Sequence, residues 1–562
     1  MQIKKYFSLM VFLYGMHIYS VAQKPYTSKV WQADNGNGTY SNPIIHADYS
    51  DPDVIRVADD YYMVASSFNY VPGLPILHSK DLVNWTIIGH ALIQQPPYDR
   101  FNKVQHGGGV WAPAIRFHKG EFYIYYPDPD EGIYVVKAAK ITGPWSEPLL
   151  VKKAKGWIDP CPFWDEDGKA YLVAGVAASR SGIKSVLLLH RMSADGTRLL
   201  DDGAIIFDGH DKHPTVEGPK LHKRNGYYYV FAPAGGVGQG WQLVLRSKTI
   251  DGPYEHKIVL EQGSSNFNGP HQGAWVETQT GESWFIHFQD KDAYGRIVHL
   301  QPMQWKNDWP IIGVDADGNG IGEPVTTFKK PNVGKSYPIQ SPQESDEFNT
   351  NKIGLQWQWS ANRKSNYFMP AGANYGFLRL FTVAKIDSTL NIWDAPNLFT
   401  QKFPAPNFSA TTKLNFTARA NNEEVGLIIT GLDYAYISIK RNEHGLIVTQ
   451  VKCIDAEKAK PEIKSSEISV NNNNIYFKVQ VSNVQPTDDD YKQFVRSENN
   501  KWGNAKCIFS YSIDGVEYKQ LGEPFAAKKG KWIGAKVGLF ALRNGKVYES
   551  GYADVDWFRI DK

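Results

Sequence analysis

Three acidic residues stand at the starts of strand-like segments that recur along the chain. Asp51 and Asp159 each precede a proline, and Glu217 precedes a Gly-Pro pair. Facing carboxylates can act as a general acid and a general base, which is the chemistry that cleaves a glycosidic bond. Taken singly, each has an ordinary structural explanation, because Asp-Pro often opens a turn. Convergence of all three would bring like charges together at an energetic cost, which favours a functional explanation.

Each of these acids introduces a β-hairpin, and five such hairpins follow one another. In the first hairpin, strand-like runs at 54–57 and 61–65 flank a short polar turn. The five units begin near positions 51, 111, 159, 217 and 271. Repeats of roughly 40–60 residues built only from strands and turns indicate a β-propeller with one four-stranded blade per repeat. Since the innermost strands line the central channel, the sequence predicts that the three acids meet at one mouth of it.

The first 22 residues have the pattern of a cleavable signal peptide. Lys4 and Lys5 are followed by a mostly apolar run at 6–19 and by small residues before Gln23. No cysteine lies near this site, so we expect a secreted or periplasmic protein without a lipid anchor. No later run approaches the ~18 apolar residues that cross a membrane.

The rest of the chain divides by its patterns into a polar lead-in, a propeller, a linker and a second β domain. We predict the lead-in at 23–41, the propeller at 42–324 and a Lys/Pro/Ser/Gly-rich linker at 325–345. About a dozen short strands at 346–562 predict a β-sandwich. No long amphipathic helix is evident, so the predicted fold class is all-β, a five-bladed β-propeller followed by a β-sandwich.

Composition excludes some partners and leaves others open. The formal net charge is +3 with no basic block, which argues against a nucleic-acid partner. Aromatic residues make up 13% of the chain, and their faces stack well on sugar rings. The three cysteines, Cys161, Cys453 and Cys507, follow no metal-ligand spacing. Cys453 and Cys507 are the one pair within a single predicted domain, and the sequence does not decide whether they meet.

The order of these motifs resembles glycoside hydrolase family 43, whose five-bladed propeller enzymes act on arabinose- and xylose-containing glycans. The resemblance covers the whole propeller, and the C-terminal sandwich is similar to that of larger members. The segments that carry the resemblance are Asp48–Arg56, Phe68–Trp85, Val110–Ile115, Trp157–Pro160, Val216–Pro219 and Gly295–Trp305.

The resemblance implies a role for each acid. Asp51 is then the general base that activates water, and Glu217 is the general acid. Asp159 would raise the proton affinity of the acid and help to hold it. The family inverts the anomeric configuration, which requires roughly 6.5–9.5 Å between acid and base to admit a water molecule.

Four further residues become candidates for substrate binding through the same resemblance. Arg296 matches an arginine that contacts sugar hydroxyls, and Phe68 and Trp111 are candidates for the pocket wall. His271 either bonds near the acids or contacts a bound divalent ion. As plain structural features, these would be a surface cation, core aromatics and a buried histidine. No further metal ligands accompany His271, so we expect no required cofactor, although the resemblance leaves room for an ion such as calcium in the channel.

We therefore expect an exo-acting, inverting glycosidase that releases terminal non-reducing α-L-arabinofuranosyl residues from plant cell-wall polysaccharide side chains or oligosaccharides, including xyloglucan. The segments 49–53 and 106–111 resemble the arabinofuranosidase branch of the family. A β-D-xylosidase is the alternative within the family, since both sugars present similar hydroxyls. A non-catalytic, carbohydrate-binding propeller is the alternative from another class. The sandwich either binds glycan or supports one wall of the pocket, and we favour the second.

Overall fold

Five four-stranded antiparallel sheets, each paired in chain order, form the blades of the N-terminal domain in a computed structural model. The structure describes residues 25–385, 391–484 and 505–562, so the predicted signal peptide at 1–22 lies outside the described residues. The first strand of each blade contacts the neighbouring blades around a central axis. Blade 5 also contacts blade 1, which closes the ring. The predicted five-bladed propeller is therefore confirmed.

Each blade begins with one of the predicted hairpins. The blade strands, from the first blade to the fifth, are Asp53–Val57, Asp60–Val64, Gly73–Ser79 and Trp85–Leu92; Ala114–His118, Glu121–Asp128, Gly132–Ala138 and Leu149–Lys153; Trp157–Trp164, Ala170–Val176, Val186–Met192 and Ala204–Asp208; Lys220–Arg224, Tyr227–Ala234, Trp241–Ser247 and Glu255–Leu260; His271–Glu277, Ser283–Asp290, Arg296–Lys306 and Trp309–Ile312.

Turn chemistry explains why the hairpins form where they do. In blade 4, Arg224 pairs with Tyr227 across a two-residue turn made by Asn225 and Gly226. Their φ angles are 50° and 74°. Asn-Gly tolerates positive φ at both positions, and this matches the twist of an antiparallel hairpin.

The end of the lead-in and the residues that follow it, over 39–45, close the propeller ring. Ile45 forms an isolated β-bridge with Val298 of blade 5. The Asn42 side chain donates to the carbonyls of Leu300 and Val325, both at 2.8 Å, and accepts the Leu300 N–H at 2.9 Å. The strand Thr39–Ser41 also pairs with Thr327–Lys329, which follows the last blade. Both ends of the propeller are thereby joined.

Two eight-stranded sheets form the C-terminal sandwich. Alternating burial along Phe408–Thr417 directs every second side chain into the core between the sheets. The strands are, in the first sheet, Gln358–Trp359, Val383–Ala384, Phe399–Lys402, Glu424–Thr430, Tyr434–Asn442, Gly445–Cys453, Ile463–Val470 and Lys536–Arg543; and in the second, Phe368–Pro370, Leu378–Phe381, Phe408–Thr417, Asn474–Asn483, Ala505–Ser512, Lys519–Gln520, Phe525–Ala527 and Tyr552–Asp561.

Helices are limited to single turns within the described ranges. None of them has the length and apolar character needed to cross a membrane. They are Tyr98–Phe101, Ala178–Ser181 and Gly372–Tyr375, with 3-10 turns at Asp292–Tyr294 and Ala456–Lys458.

The sandwich and the propeller share a core. Val71 and Trp359 exchange backbone hydrogen bonds of 3.0 and 2.6 Å, and the Ala535 N–H donates to the Ala293 carbonyl at 2.7 Å. Val71, Ala293 and Tyr294 belong to the same buried apolar cluster as the sandwich interior. The sandwich is therefore packed directly against blades 1 and 5 and is not joined to them by the linker alone.

All three cysteines lie in described segments, and each is buried with a free thiol. Cys453 and Cys507 belong to different sheets of the sandwich and do not form a disulfide. The thiol of Cys161, in blade 3, accepts a hydrogen bond from Arg116 Nη2 of blade 2 at 2.8 Å, so this residue packs at the contact between two blades.

Replacing Asn42 with alanine should weaken ring closure. Removal of its side chain leaves buried backbone groups of Leu300 and Val325 without these partners, at a cost of about 2 to 4 kcal/mol in the free energy of unfolding. Differential scanning calorimetry should show a melting temperature lower by roughly 5 °C. The exposed Asn35→Ala is the control, and an Asn42→Ala melting temperature equal to that of Asn35→Ala would contradict the closure role.

Candidate active site

Two of the three predicted acids, in different blades, have the same strained backbone conformation. Asp51 and Asp159 have φ angles of 56° and 57°, and both precede a proline. Non-glycine residues rarely adopt this left-handed region, and such strain is concentrated at functional sites. In blade 4 the matching position is Gly218, with φ 58°, so Glu217 lies one residue earlier than the two aspartates. The acids therefore open equivalent blades, but their backbone positions differ by one residue.

The three carboxylates lie close enough to affect one another. Asp159 Oδ2 accepts the backbone N–H of Gly218, the residue next to Glu217, at 2.8 Å. Burial, and then the charges of Glu217 and Asp51, raises the pKa of Asp159 to about 8. Asp159 therefore takes up a proton more readily than an isolated aspartic acid does. Since the charge of Glu217 is one cause of this rise, the two carboxyl groups are electrostatically coupled, as the predicted modulating role of Asp159 requires.

Three hydrogen-bond donors fix the orientation of the Asp51 carboxylate. Ser50 Oγ and Ser66 Oγ donate to its Oδ2 at 2.7 and 2.6 Å, and Arg296 Nη1 donates to its Oδ1 at 3.2 Å. Its side chain is only 6% exposed. Donors of this kind stabilise a carboxylate anion and fix its direction, as a general base requires.

Glu217 differs from Asp51 in its access to solvent. Its side chain is 24% exposed, and its Oε1 lies 2.8 Å from His271 Nε2. Which of these two atoms is the donor depends on the tautomer of the histidine. The structure thus places His271 directly against Glu217. A carboxyl group that is partly exposed to solvent can exchange a proton with a molecule bound beside it.

The residues around His271 do not fit a calcium ion. Its Nδ1 is buried and has no partner in the part of the chain that the structure describes. Calcium takes six to eight oxygen ligands. Across the described ranges, however, no group of three His, Cys, Asp or Glu side chains is arranged to hold a metal. We therefore derive no step through a metal ion.

A series of aromatic side chains leads to Arg296, the residue that bonds to Asp51. Phe68 and Trp111 meet edge to face, with ring centroids 6.5 Å apart. Phe68 is buried, whereas Trp111 is half-buried and its indole N–H donates to the Gly107 carbonyl at 2.8 Å. Arg180 lies over the Trp111 ring, 5.5 Å from the centroid. Of the predicted wall residues, Trp111 is thus the one available to a ligand, and Phe68 supports it.

The sandwich contributes an aromatic residue that the sequence did not reveal. Trp532 lies 5.9 Å from Trp111, measured between ring centroids, and its ring is 5.9 Å from the guanidinium carbon of Arg296. It is 44% exposed and has a φ of 67°. No local pattern links it to the acids, because it comes from another domain. Ser50, next to Asp51, could have been suspected from its adjacency.

Three convergent carboxylates, an arginine and aromatic walls at the mouth of a propeller are typical of glycosidases that use paired carboxyl groups. A model of glycosyl hydrolases family 43 matches residues 40–310, and a model of the beta xylosidase C-terminal concanavalin A-like domain matches residues 345–561. The chain is 41% identical over 520 residues to a putative beta-xylosidase of Xylanibacter ruminicola, covering 91% of this chain and 88% of the relative. The chain belongs to glycosyl hydrolase family 43 and is a glycosidase.

Two further comparisons extend over both domains. The chain is 33% identical over 578 residues to a beta-xylosidase of Formosa agariphila, covering 94% of this chain and 91% of the relative. A crystal structure of a family 43 protein from Bacillus licheniformis has a TM-score of 0.76 and 26% identity, covering 93% of this chain and 99% of that protein.

The prediction that the protein is an arabinofuranosidase is wrong. The relatives with 41% and 33% identity are named beta-xylosidases, whereas a relative named as an arabinofuranosidase is 28% identical. The segments 49–53 and 106–111 contribute the base, its neighbours and Trp111, which both kinds of enzyme can use. They therefore do not distinguish the two sugars. A solved structure whose title names xyloglucan is 25% identical to the chain, compared with 41% and 33% for the relatives named as beta-xylosidases, so the comparisons do not confirm xyloglucan as the substrate.

The raised pKa of Asp159 predicts a characteristic dependence of stability on pH. Between its ordinary value near 4 and its folded value of about 8, the folded protein binds a proton that the unfolded chain has released. This stabilisation is complete below about pH 4 and is lost as the pH rises through about 8. Asp159→Asn cannot ionise, so its melting temperature should exceed that of the wild type at about pH 9.

At about pH 4, the wild type and Asp159→Asn should melt together. Scanning calorimetry from about pH 4 to pH 9 measures the difference, and the exposed Asp99→Asn serves as the matched substitution. A wild type that is more stable than Asp159→Asn at about pH 9 would show that the pKa of Asp159 is not raised in the folded protein.

Proposed function

We propose that the protein is an exo-acting, inverting β-D-xylosidase that releases terminal non-reducing xylose from plant cell-wall glycans or their oligosaccharides. The observation that carries this proposal is the similarity of nearly the whole chain to two relatives named as beta-xylosidases. The match of the second domain to one described for beta xylosidases supports it. Both domains thus favour xylose over arabinose.

In the proposed reaction, Glu217 protonates the glycosidic oxygen while the bond to the anomeric carbon breaks. A water molecule attacks that carbon from the opposite face and loses a proton to Asp51. The products are xylose with inverted configuration and the shortened glycan, and solvent exchange restores both carboxyl groups. Asp159 modulates the acid by holding or releasing a proton beside it.

The remaining residues serve recognition in this proposal. Arg296 lies beside Asp51, so it both orients the base and can donate to sugar hydroxyls. His271 holds the carboxyl group of Glu217. Trp111 and Trp532 pack edge to face as one aromatic wall near Arg296, with Phe68 against Trp111, and the exposed faces of such rings can stack on a sugar.

The setting of the enzyme is also part of the proposal. The pattern at residues 1–22 supports export to the periplasm or the medium. The reaction as written uses only carboxyl groups and water, so it requires no cofactor.

Parallel assays test the choice of sugar. The purified protein should hydrolyse 4-nitrophenyl β-D-xylopyranoside and xylobiose with a far higher kcat/KM than 4-nitrophenyl α-L-arabinofuranoside. Proton NMR of the first minutes of xylobiose hydrolysis should show α-xylose before mutarotation. A dominant arabinofuranoside rate, or binding of xylo-oligosaccharides without release of sugar, would refute the proposal.

Substitution of the two reacting carboxyl groups tests the mechanism. Asp51→Asn and Glu217→Gln should each lower kcat by about 10²–10⁴-fold, because each removes a proton-transfer partner. Circular dichroism should show unchanged folding. Asp59→Asn, at an exposed site in the turn of blade 1, and Glu277→Gln, at an exposed site in blade 5, are matched controls. Near-wild-type turnover by a folded Asp51→Asn or Glu217→Gln would exclude that residue.

A further inference from the structure

Asp48 is a buried carboxylate that the proposed chemistry does not use. It is 5% exposed and lies just before Asp51 in the sequence. Its Oδ1 accepts the backbone N–H of Arg296 at 2.9 Å, and its Oδ2 accepts the backbone N–H of Gly534 at 3.0 Å. One side chain therefore joins the segment before blade 1, a strand of blade 5 and a loop of the sandwich.

Both backbones that Asp48 holds lead directly to the site. The Arg296 side chain donates to Asp51 Oδ1 at 3.2 Å. Gly534 lies on the same loop as Trp532, whose ring is 5.9 Å from the Arg296 guanidinium carbon. Asp48 is thus connected on one side to the proposed base and on the other to the aromatic wall.

The three segments that meet at Asp48, called the joint below, are packed too closely to move independently. A Cβ atom at Gly295 would lie 2.5 Å from Asp48 Cγ, and one at Gly534 would lie 2.6 Å from the Gly295 nitrogen. The Ala535 N–H also donates to the Ala293 carbonyl at 2.7 Å. The loop of the sandwich and the turn of blade 5 are therefore in direct backbone contact.

Two lysines of the sandwich, the half-buried Lys402 and the buried Lys536, interact electrostatically with Asp48. Lys402 and Lys536 lie on adjacent strands, and their Nζ atoms are 3.4 and 3.3 Å from the same oxygen, Gln358 Oε1. Burial lowers the pKa of both amines, and the charge of Asp48 opposes this effect at each. Loss of the Asp48 charge would remove this compensation.

We propose that Asp48 is a positioning residue that couples the sandwich loop bearing Trp532 to the Arg296–Asp51 pair, so that both domains form one substrate site. The inference rests on the proposed function, because Asp51 and Trp532 must serve hydrolysis and binding for the coupling to matter. It gives the sandwich a direct part in forming the site.

Asp48→Asn is the most conservative test. An amide keeps the size of the carboxylate but has one acceptor oxygen instead of two, so one of the two N–H groups must lose its bond. The shift of Arg296 should lower kcat through Asp51, and the shift of the Trp532 loop should raise KM. We expect kcat/KM to fall roughly 10- to 100-fold.

A double-mutant cycle separates coupling from general destabilisation. Steady-state kinetics on 4-nitrophenyl β-D-xylopyranoside and xylobiose would compare Asp48→Asn, Trp532→Ala and the double variant. If Asp48 acts on KM through Trp532, its KM effect should vanish in the Trp532→Ala background while the kcat effect persists. Asp561→Asn, which loses an exposed contact between the sandwich and Lys29, should stay within about twofold of the wild type.

Other results would overturn the inference. Unchanged kinetics with a lower melting temperature would make Asp48 merely structural, and a KM effect that persists in full beside Trp532→Ala would show no coupling. If Asp48→Asn is not recovered folded, Gly534→Ala perturbs the same joint from the sandwich side and should give the same Trp532-dependent rise in KM. A wild type inactive on xylosides would refute the proposed function instead.

Discussion

The convergence of three carboxyl groups, of which Asp51 and Asp159 are buried, is the constraint on which the rest of the site depends. Like charges removed from water repel one another, so each group must be stabilised separately. Asp51 receives two hydroxyl groups and a guanidinium group. Burial and the neighbouring charges raise the pKa of Asp159, and Glu217 reaches solvent beside His271. The three carboxyl groups thus have different surroundings, and in the proposed mechanism these surroundings assign them different roles.

Ring closure and domain packing hold this arrangement together. The acids come from blades far apart in sequence, so they can meet only if the ring is closed, as it is by Asn42 and Ile45. The sandwich then packs against blades 1 and 5 through a continuous apolar core. Its Trp532 loop reaches the same mouth, which makes the second domain part of the site rather than an appendage.

The sugar was the point at which motif-based reasoning failed. In the proposed mechanism, Asp51, Glu217 and Arg296 act on atoms that a xyloside and an arabinofuranoside have in common. Discrimination between such similar substrates depends on the shape of the walls and on differences of a few kcal/mol between competing sugars. Walls such as Trp532 are assembled from separate domains, so the short segments around the acids carry little information about specificity.

The sequence by itself determined the hairpins, the number of blades, the all-β class and the identity of the three acids. It could do so because turn residues such as Asn225-Gly226 and the spacing of repeats are local properties of the chain. Only the tertiary structure decided that the carboxyl group of Glu217 lies within hydrogen-bond distance of His271, that burial raises the pKa of Asp159, and that Trp532 lies near Arg296. Those outcomes depend on burial and on distances between residues remote in sequence, which no local pattern encodes.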